Sequence, residues 1–209
     1  MQPSEPFLLL IESKLIIWHS EESCKFDFFD KDSVRLYAKD IICRGVVICP
    51  ICGGFFTVHR VYHRGIKNSD SSKEHGWVAQ LRCKPCNRYP SLIPDFIMPY
   101  KHYKAEVIEA VIIEYENGNN AEYLTGYTAD ISTMRRWVRQ FRERAHKAVE
   151  CLQTILLKRH SRKICIDNLK NMTLLKQLLH LLYEFQFPKI HTIIGSANII
   201  LTTQNSGFL

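Results

Sequence analysis

This chain has no run of apolar residues long enough to cross a bilayer. Its best candidate, Phe7 to Trp18, is broken by Glu12 and Lys14 and falls short of the roughly 20 residues that a helical span needs. A basic amino-terminal region followed by a small-residue cleavage site is also missing, so the expectation is a cytoplasmic protein with no membrane partner. The Phe7–Trp18 stretch then reads as a buried strand or hairpin. No internal repeat and no low-complexity tract is present, and 209 residues leave no need to consider a large catalytic barrel or a doubly wound sheet. An apolar content of 46% with 23% charged residues argues against wholesale disorder.

Acidic residues are scarce where basic ones gather. The net charge is +7 with a pI near 9.0, a balance that suits polyanionic partners. From Met134 to Lys163 there are ten basic and two acidic residues, whereas from Met1 to Asp40 there are five basic and eight acidic ones. One segment therefore carries the whole excess.

Eight cysteines without a secretion signal point to reduced thiols and metal, not to a disulfide framework. Four of them form two pairs, Cys49-Pro50-Ile51-Cys52 and Cys83-Lys84-Pro85-Cys86. Each has the spacing of a knuckle that aims two thiolates at one tetrahedral ion, and Gly53 and Gly54 give the first turn its backbone freedom. A redox dithiol is the competing reading, but that motif opens a helix after a strand and needs no second copy. Four thiolates leave no open coordination position, so the expected ion is one structural zinc. His59, His63 and His75 lie between the pairs and could replace a thiolate, but with four thiolates present none is needed. Cys24, Cys43, Cys151 and Cys165 lack paired spacing and read as free buried thiols.

Around the pairs, Val46 to Ile48, Phe55 to Tyr62 and Trp77 to Leu81 are rich in β-branched and aromatic residues and read as strands. The polar stretch Gly65 to Gly76 reads as an exposed loop between two of them. Val34 to Ile42 fits a short helix. Beyond Pro99 the period becomes helical: Val107, Ile108, Val111, Ile112 and Tyr115 share one face, and Gly118 is a stop. A short segment covers Ala121 to Leu124. A third helix starts near Asp130 or Ser132, either of which could cap it, and runs towards Lys158. Apolar helical segments at Met172–Phe185 and Ile190–Leu201 follow.

On the third helix, Met134, Trp137, Val138, Phe141 and Ala145 fall on one apolar stripe, while Ser132, Arg135, Arg136 and Arg139 fall opposite. The order helix, short helix, basic helix resembles a helix-turn-helix DNA reader. Its expected DNA contacts are Ser132, Thr133, Arg135, Arg136, Arg139 and Arg142, because a guanidinium donates two parallel hydrogen bonds to guanine or phosphate. The blander reading is a solvated basic face. Trp137, within the stripe, reads as core.

The fold class expected is thus α+β. A small antiparallel zinc-ribbon β domain precedes a mainly α-helical helix-turn-helix region and C-terminal helices, with segments at 1–42, 43–99, 100–150 and 151–209. The run Cys49 to Gly54, His59 to Arg64, Leu81 to Cys86, Ser91 to Phe96 and Pro99 to Tyr103 resembles a bacterial domain family of unknown function. That family is similar in turn to the zinc-ribbon and helix-turn-helix front ends of insertion-sequence transposases. The resemblance spans roughly Val46 to Ala145 and implies zinc at the four cysteines and DNA association through the helix near Ser132.

A transposase would go on to a nuclease domain holding magnesium on two or three carboxylates. Here Glu150, Asp167 and Glu184 are the only carboxylates after Glu143, in helical or loop context, so no enzyme activity and no small-molecule substrate are expected. Two alternatives stand beside a DNA-binding protein. One is a protein-interaction module with a structural zinc, including a homodimer through Leu174, Leu175, Leu178, Leu179, Leu181 and Leu182. The other is a metal-dependent nuclease, which requires an open coordination position.

Overall fold

The computed structural model describes residues 9–11, 15–18, 27–45, 47–49, 51–70, 72–94, 96–98, 101–120, 122, 124, 126–160, 169, 171–184 and 192–193. They form two compact units, one built on a sheet and its helix and one built on three later helices.

In the first unit, β1 (Leu9–Ile11) and β2 (Leu15–Trp18) form an antiparallel hairpin, so the early apolar stretch does contribute strands. Helix α1 (Lys31–Cys43) follows, its first turn closed by the Asp30 carboxylate, which accepts from the Ser33 amide at 2.7 Å. Val34, Ala38 and Ile41 recur at helical spacing and are buried. The main ladder pairs β3 (Phe56–Lys67) with β4 (Lys73–Cys83), and β5 (Ser91–Pro94) runs antiparallel beside β4. On its other edge β5 pairs in parallel with β2, Leu15 opposite Ser91 and Trp18 opposite Pro94, giving the order β1-β2-β5-β4-β3. The expected antiparallel ribbon is present in β3 and β4, but the strand expected at Val46–Ile48 amounts, among the described residues, to a single bridge from Ile48 to Phe55, and the sheet is extended instead by β5, β2 and β1.

The polar stretch Gly65–Gly76 is not all loop. Its ladder continues through Gly65↔His75 to Lys67↔Lys73, and the described turn residues are Ser69 and Asp70. There the Asp70 carboxylate accepts from the amide and hydroxyl of Ser72 at 2.9 and 2.6 Å. Cross-strand hydrogen bonding overrode a polar composition that signals a turn.

Phe28 locks the segment before α1 onto the sheet. Its carbonyl accepts from the Trp77 amide at 2.9 Å, its ring meets Phe96 edge-on at 5.4 Å, and the ring occupies the space a side chain at Gly76 would need. A Cβ at Gly76 would come within 1.6 Å of the Phe28 ring. Gly76→Ala is expected to destabilise the unit by about 1–3 kcal/mol through overpacking. Thermal melts of the double variant with Phe28→Ala check this: the two changes should couple, because the smaller side chain removes the clash. Strict additivity would refute the assignment.

In the second unit, α2 (Ala105–Glu116) buries Val107, Ile108, Val111 and Ile112, four of the five residues expected on its apolar face. Helix α3 (Ile131–His160) packs against it, and α4 (Leu174–Glu184) packs against α3. The predicted stripe of α3, Met134, Trp137, Val138, Phe141 and Ala145, is buried throughout, and Leu152 and Leu156 extend it. Trp137 is core, its ring edge-on to Tyr103 at 5.0 Å. The short helix expected at Ala121–Leu124 falls on a stretch of which only Glu122 and Leu124 are described, and that expected at Ile190–Leu201 lies outside the described residues except for Thr192 and Ile193. No described helix is long and apolar enough to cross a membrane.

Candidate metal centre and basic helix

The two cysteine pairs sit thirty residues apart in sequence, and the hairpin closes that gap. Because β3 leaves and β4 returns alongside it, Phe56 lies opposite Cys83, which brings the first pair, just before β3, to the second, which begins on the last residue of β4. Both turns are built alike. In the first, Ile48 bridges Phe55, the Cys49 amide donates to the Gly54 carbonyl at 2.9 Å, and the Gly53 amide donates to the Cys49 carbonyl at 2.8 Å. In the second, Cys83 bridges Arg88, its amide donating to the Arg88 carbonyl at 2.9 Å.

The residue after the second cysteine of each pair must turn left-handed: Gly53 has φ 66° and Asn87 has φ 52°. Asparagine is among the few side-chain-bearing residues that accept this region readily. Asn87 was the position sequence reading passed over, and its signal was the place it shares with Gly53. Asn87→Gly is expected to leave the melting temperature and zinc content almost unchanged, whereas Asn87→Val should cost about 1–2 kcal/mol or more. Equal melts for the two variants would contradict this reading.

The result is four sulfurs all within 4.8 Å of one another. Sγ of Cys49 lies 3.5 Å from that of Cys86, and Sγ of Cys52 lies 3.4 Å from that of Cys83. A tetrahedron with zinc–sulfur bonds of 2.3 Å has sulfur–sulfur edges of about 3.8 Å, so the donor set and its size fit a metal ion such as zinc. Cys49 and Cys83 are buried, Cys86 is partly covered and Cys52 is exposed. Burial pushes the Cys83 thiol up to about 12, with the neighbouring thiols adding to the effect. Burial also works against ionising Cys49, but the amides of Ile51 and Cys52 and the adjacent thiols outweigh it and bring that thiol down to about 7. Four thiols this close do not all ionise unaided; a divalent cation stabilises the thiolates together.

The three histidines between the pairs do not join this group. His59 lies edge-on to Tyr89 at 5.0 Å, and His63 stacks on Trp77 at 3.6 Å with His75 at 6.3 Å. Cys43 and Cys151 are free thiols, but Cys43 is exposed and Cys151 half-buried, so neither is the buried thiol expected, while Cys24 and Cys165 lie outside the described residues.

On α3, Ser132, Arg135, Arg136, Arg139 and Arg142 are exposed and Thr133 is half-buried. Not all are equally available. Arg135 pairs with Glu122, and Arg139 reaches Glu143 at 4.0 Å. Arg142 lies 3.5 Å from the largely buried Glu116 and 5.1 Å from the centre of the Tyr115 ring, which makes it a clamp between α2 and α3. Arg136, Arg144 and Lys147 are exposed.

A family model described as a domain of unknown function (DUF6431) matches residues 49–137. The match starts on the first cysteine of the cluster, takes in all four, and ends on Trp137, at the buried stripe of α3. No curated protein and no solved structure matches the chain.

Proposed function

We propose that this protein is a zinc-stabilised DNA-binding protein, a transposition-associated regulator or transposase-like front end. In this reading one structural zinc sits on Cys49, Cys52, Cys83 and Cys86, and α2, the turn after it and α3 act as a helix-turn-helix. The observation that carries it is the two-sidedness of α3. Met134, Trp137, Val138, Phe141 and Ala145 are buried, and Ser132, Arg136, Arg139 and Lys147 project from the opposite side. The exposed ion pairs of Arg135 and Arg139 contribute little to stability and can be exchanged for phosphate contacts, whereas Arg142 serves packing first. The link to transposition is carried by sequence alone: the Cys49–Tyr103 motifs resemble a domain family of unknown function, and that family in turn resembles transposase front ends. No cleavage is assigned to the chain, since Glu150 and Glu184 lie on separate helices and a four-thiolate ion is closed to water.

The test is binding of zinc-loaded protein to a random pool of duplex oligonucleotides across a salt series. Expected is a selected motif and an affinity that falls linearly with salt on logarithmic axes, with a slope of about −0.9 for each phosphate contacted. No enrichment and no salt dependence would defeat the reading.

A second reading, a protein-docking module, is favoured by one observation. Ile48, Ile51 and Phe55 are exposed around the first cysteine turn, Phe55 by 67%. Of the leucines that would make a dimer seam on α4, Leu175, Leu178, Leu181 and Leu182 are buried, and Leu179 is exposed.

A further inference from the structure

The end of the sheet nearest the cysteines carries a basic surface of its own. Register places Thr57 opposite Arg82 and Arg60 opposite Gln80, so these four share one face of the hairpin. Between Val58 and Arg60 the register slips, which leaves His59 as the extra residue of a bulge, a device that re-aims a side chain. His59 is exposed and meets the ring of Tyr89 edge-on at 5.0 Å. The Arg82 guanidinium lies 5.6 Å from the centre of the same ring, and that of Arg60 lies 5.4 Å from the Tyr62 ring.

This arrangement is held in place. The Asn87 side-chain oxygen accepts from the Tyr89 hydroxyl at 3.0 Å and from Arg82 at 3.3 Å, and Arg60 donates to Gln80 at 2.8 Å. Asn87 is the left-handed residue of the second cysteine turn, so the metal site and the aromatic–basic surface share a fastening. No aspartate or glutamate occurs between Arg44 and Lys67 or between His75 and Pro94, and Lys84 and Arg88 are exposed beside the surface.

We propose that His59, Arg60, Arg82 and Tyr89 form a binding surface for single-stranded nucleic acid. Exposed rings offer stacking faces to bases and the flanking guanidinium groups take phosphates, a combination that does not depend on sequence. A duplex hides its base faces and could use only the charges, so the rings select an unpaired strand. An acidic peptide would likewise leave the rings without a role. Because both side chains are already fixed by Asn87, little ordering cost falls on the protein when the strand binds. The surface goes beyond the proposed role of α3 and stands whether or not α3 binds duplex.

The test uses full-length zinc-loaded protein with labelled mixed-sequence DNA and RNA oligonucleotides, each single-stranded, and the matching DNA duplex, followed by fluorescence anisotropy. Tyr89→Ala is expected to weaken single-strand binding about tenfold or more, the usual loss on removing one stacked base contact. Tyr89→Phe should keep most of that affinity, losing only what the hydroxyl bond to Asn87 contributes to ordering the ring, and Arg136→Glu should leave it unchanged while weakening duplex binding. Unaltered single-strand affinity in Tyr89→Ala, or its loss in Arg136→Glu, overturns the proposal, as does failure of the unmodified protein to bind either single strand. Should Tyr89→Ala lose zinc, bromouracil photocrosslinking of the unmodified protein decides. Crosslinks on peptides holding His59 or Tyr89 support the surface, and crosslinks confined to α3 overturn it. Loss of the α3 reading alone would show as duplex binding indifferent to Arg136→Glu.

Discussion

Serine in place of Cys83 is expected to strip the metal and melt the cysteine end of the sheet. Cys83 is the wholly buried member of the four, it closes β4, and its amide holds the second turn through Arg88. Its thiol resists ionisation more than that of Cys49, so it is the member of the four that most needs a cation to become a thiolate. Thiolate coordination by structural zinc is worth about 10–16 kcal/mol in zinc-finger peptides, comparable with the whole stability of an ordinary small domain. Atomic spectroscopy should find one zinc per unmodified chain and little in the Cys83→Ser protein. Hydrogen exchange should quicken across β3 and β4 and stay slow in α2 and α3. Cobalt loading of the unmodified protein should give the absorption of a four-sulfur tetrahedron. A metal-free unmodified protein with the same melting temperature as Cys83→Ser would end this account.

Reversing charge at Arg136 and Arg139 should remove duplex binding almost entirely. Hydrogen bonds to charged groups contribute about 1.5–3 kcal/mol each, so losing two, with repulsion added, predicts a drop of at least a hundredfold and a salt slope shallower by about two. Both side chains are exposed on the side of α3 away from its buried stripe, so circular dichroism and the melting temperature should hardly change. Arg142→Ala should behave in the opposite way: the melt falls, because Glu116 and the Tyr115 face lose their partner, while binding suffers less. Duplex affinity that survives the double reversal would remove α3 from any role in recognition.

How much of this was legible in the sequence depended on whether a pattern was local. The stripe of α3 was, because five apolar residues at helical spacing need only one helix to make a face. The four cysteines were too, since each pair is a self-contained turn and only the closing of the gap needed the β3–β4 register. Strand β5 was not. Four residues ending in Pro94 give almost no period, and the partner that stabilises their outer edge, β2, lies far upstream. The continuation of β3 through Gly65 and Lys67 was hidden for a similar reason, as the ladder and not the composition decides it. The carboxylates that engage Arg135 and Arg142 lie on or after another helix, and helical arithmetic within α3 could not reveal them.

The parallel contact between β2 and β5 has a consequence for assembly. On a ribosome, the amino-terminal hairpin emerges long before its neighbour has been translated, and the cost of closing so long a loop delays their meeting. The knuckles and the two long strands between them need only contiguous chain, so if the proposed zinc is bound they can settle around it first and offer β5 as a finished edge. A nascent chain starved of metal would expose that edge and the waiting hairpin together, and unpaired strands of this kind seed aggregation.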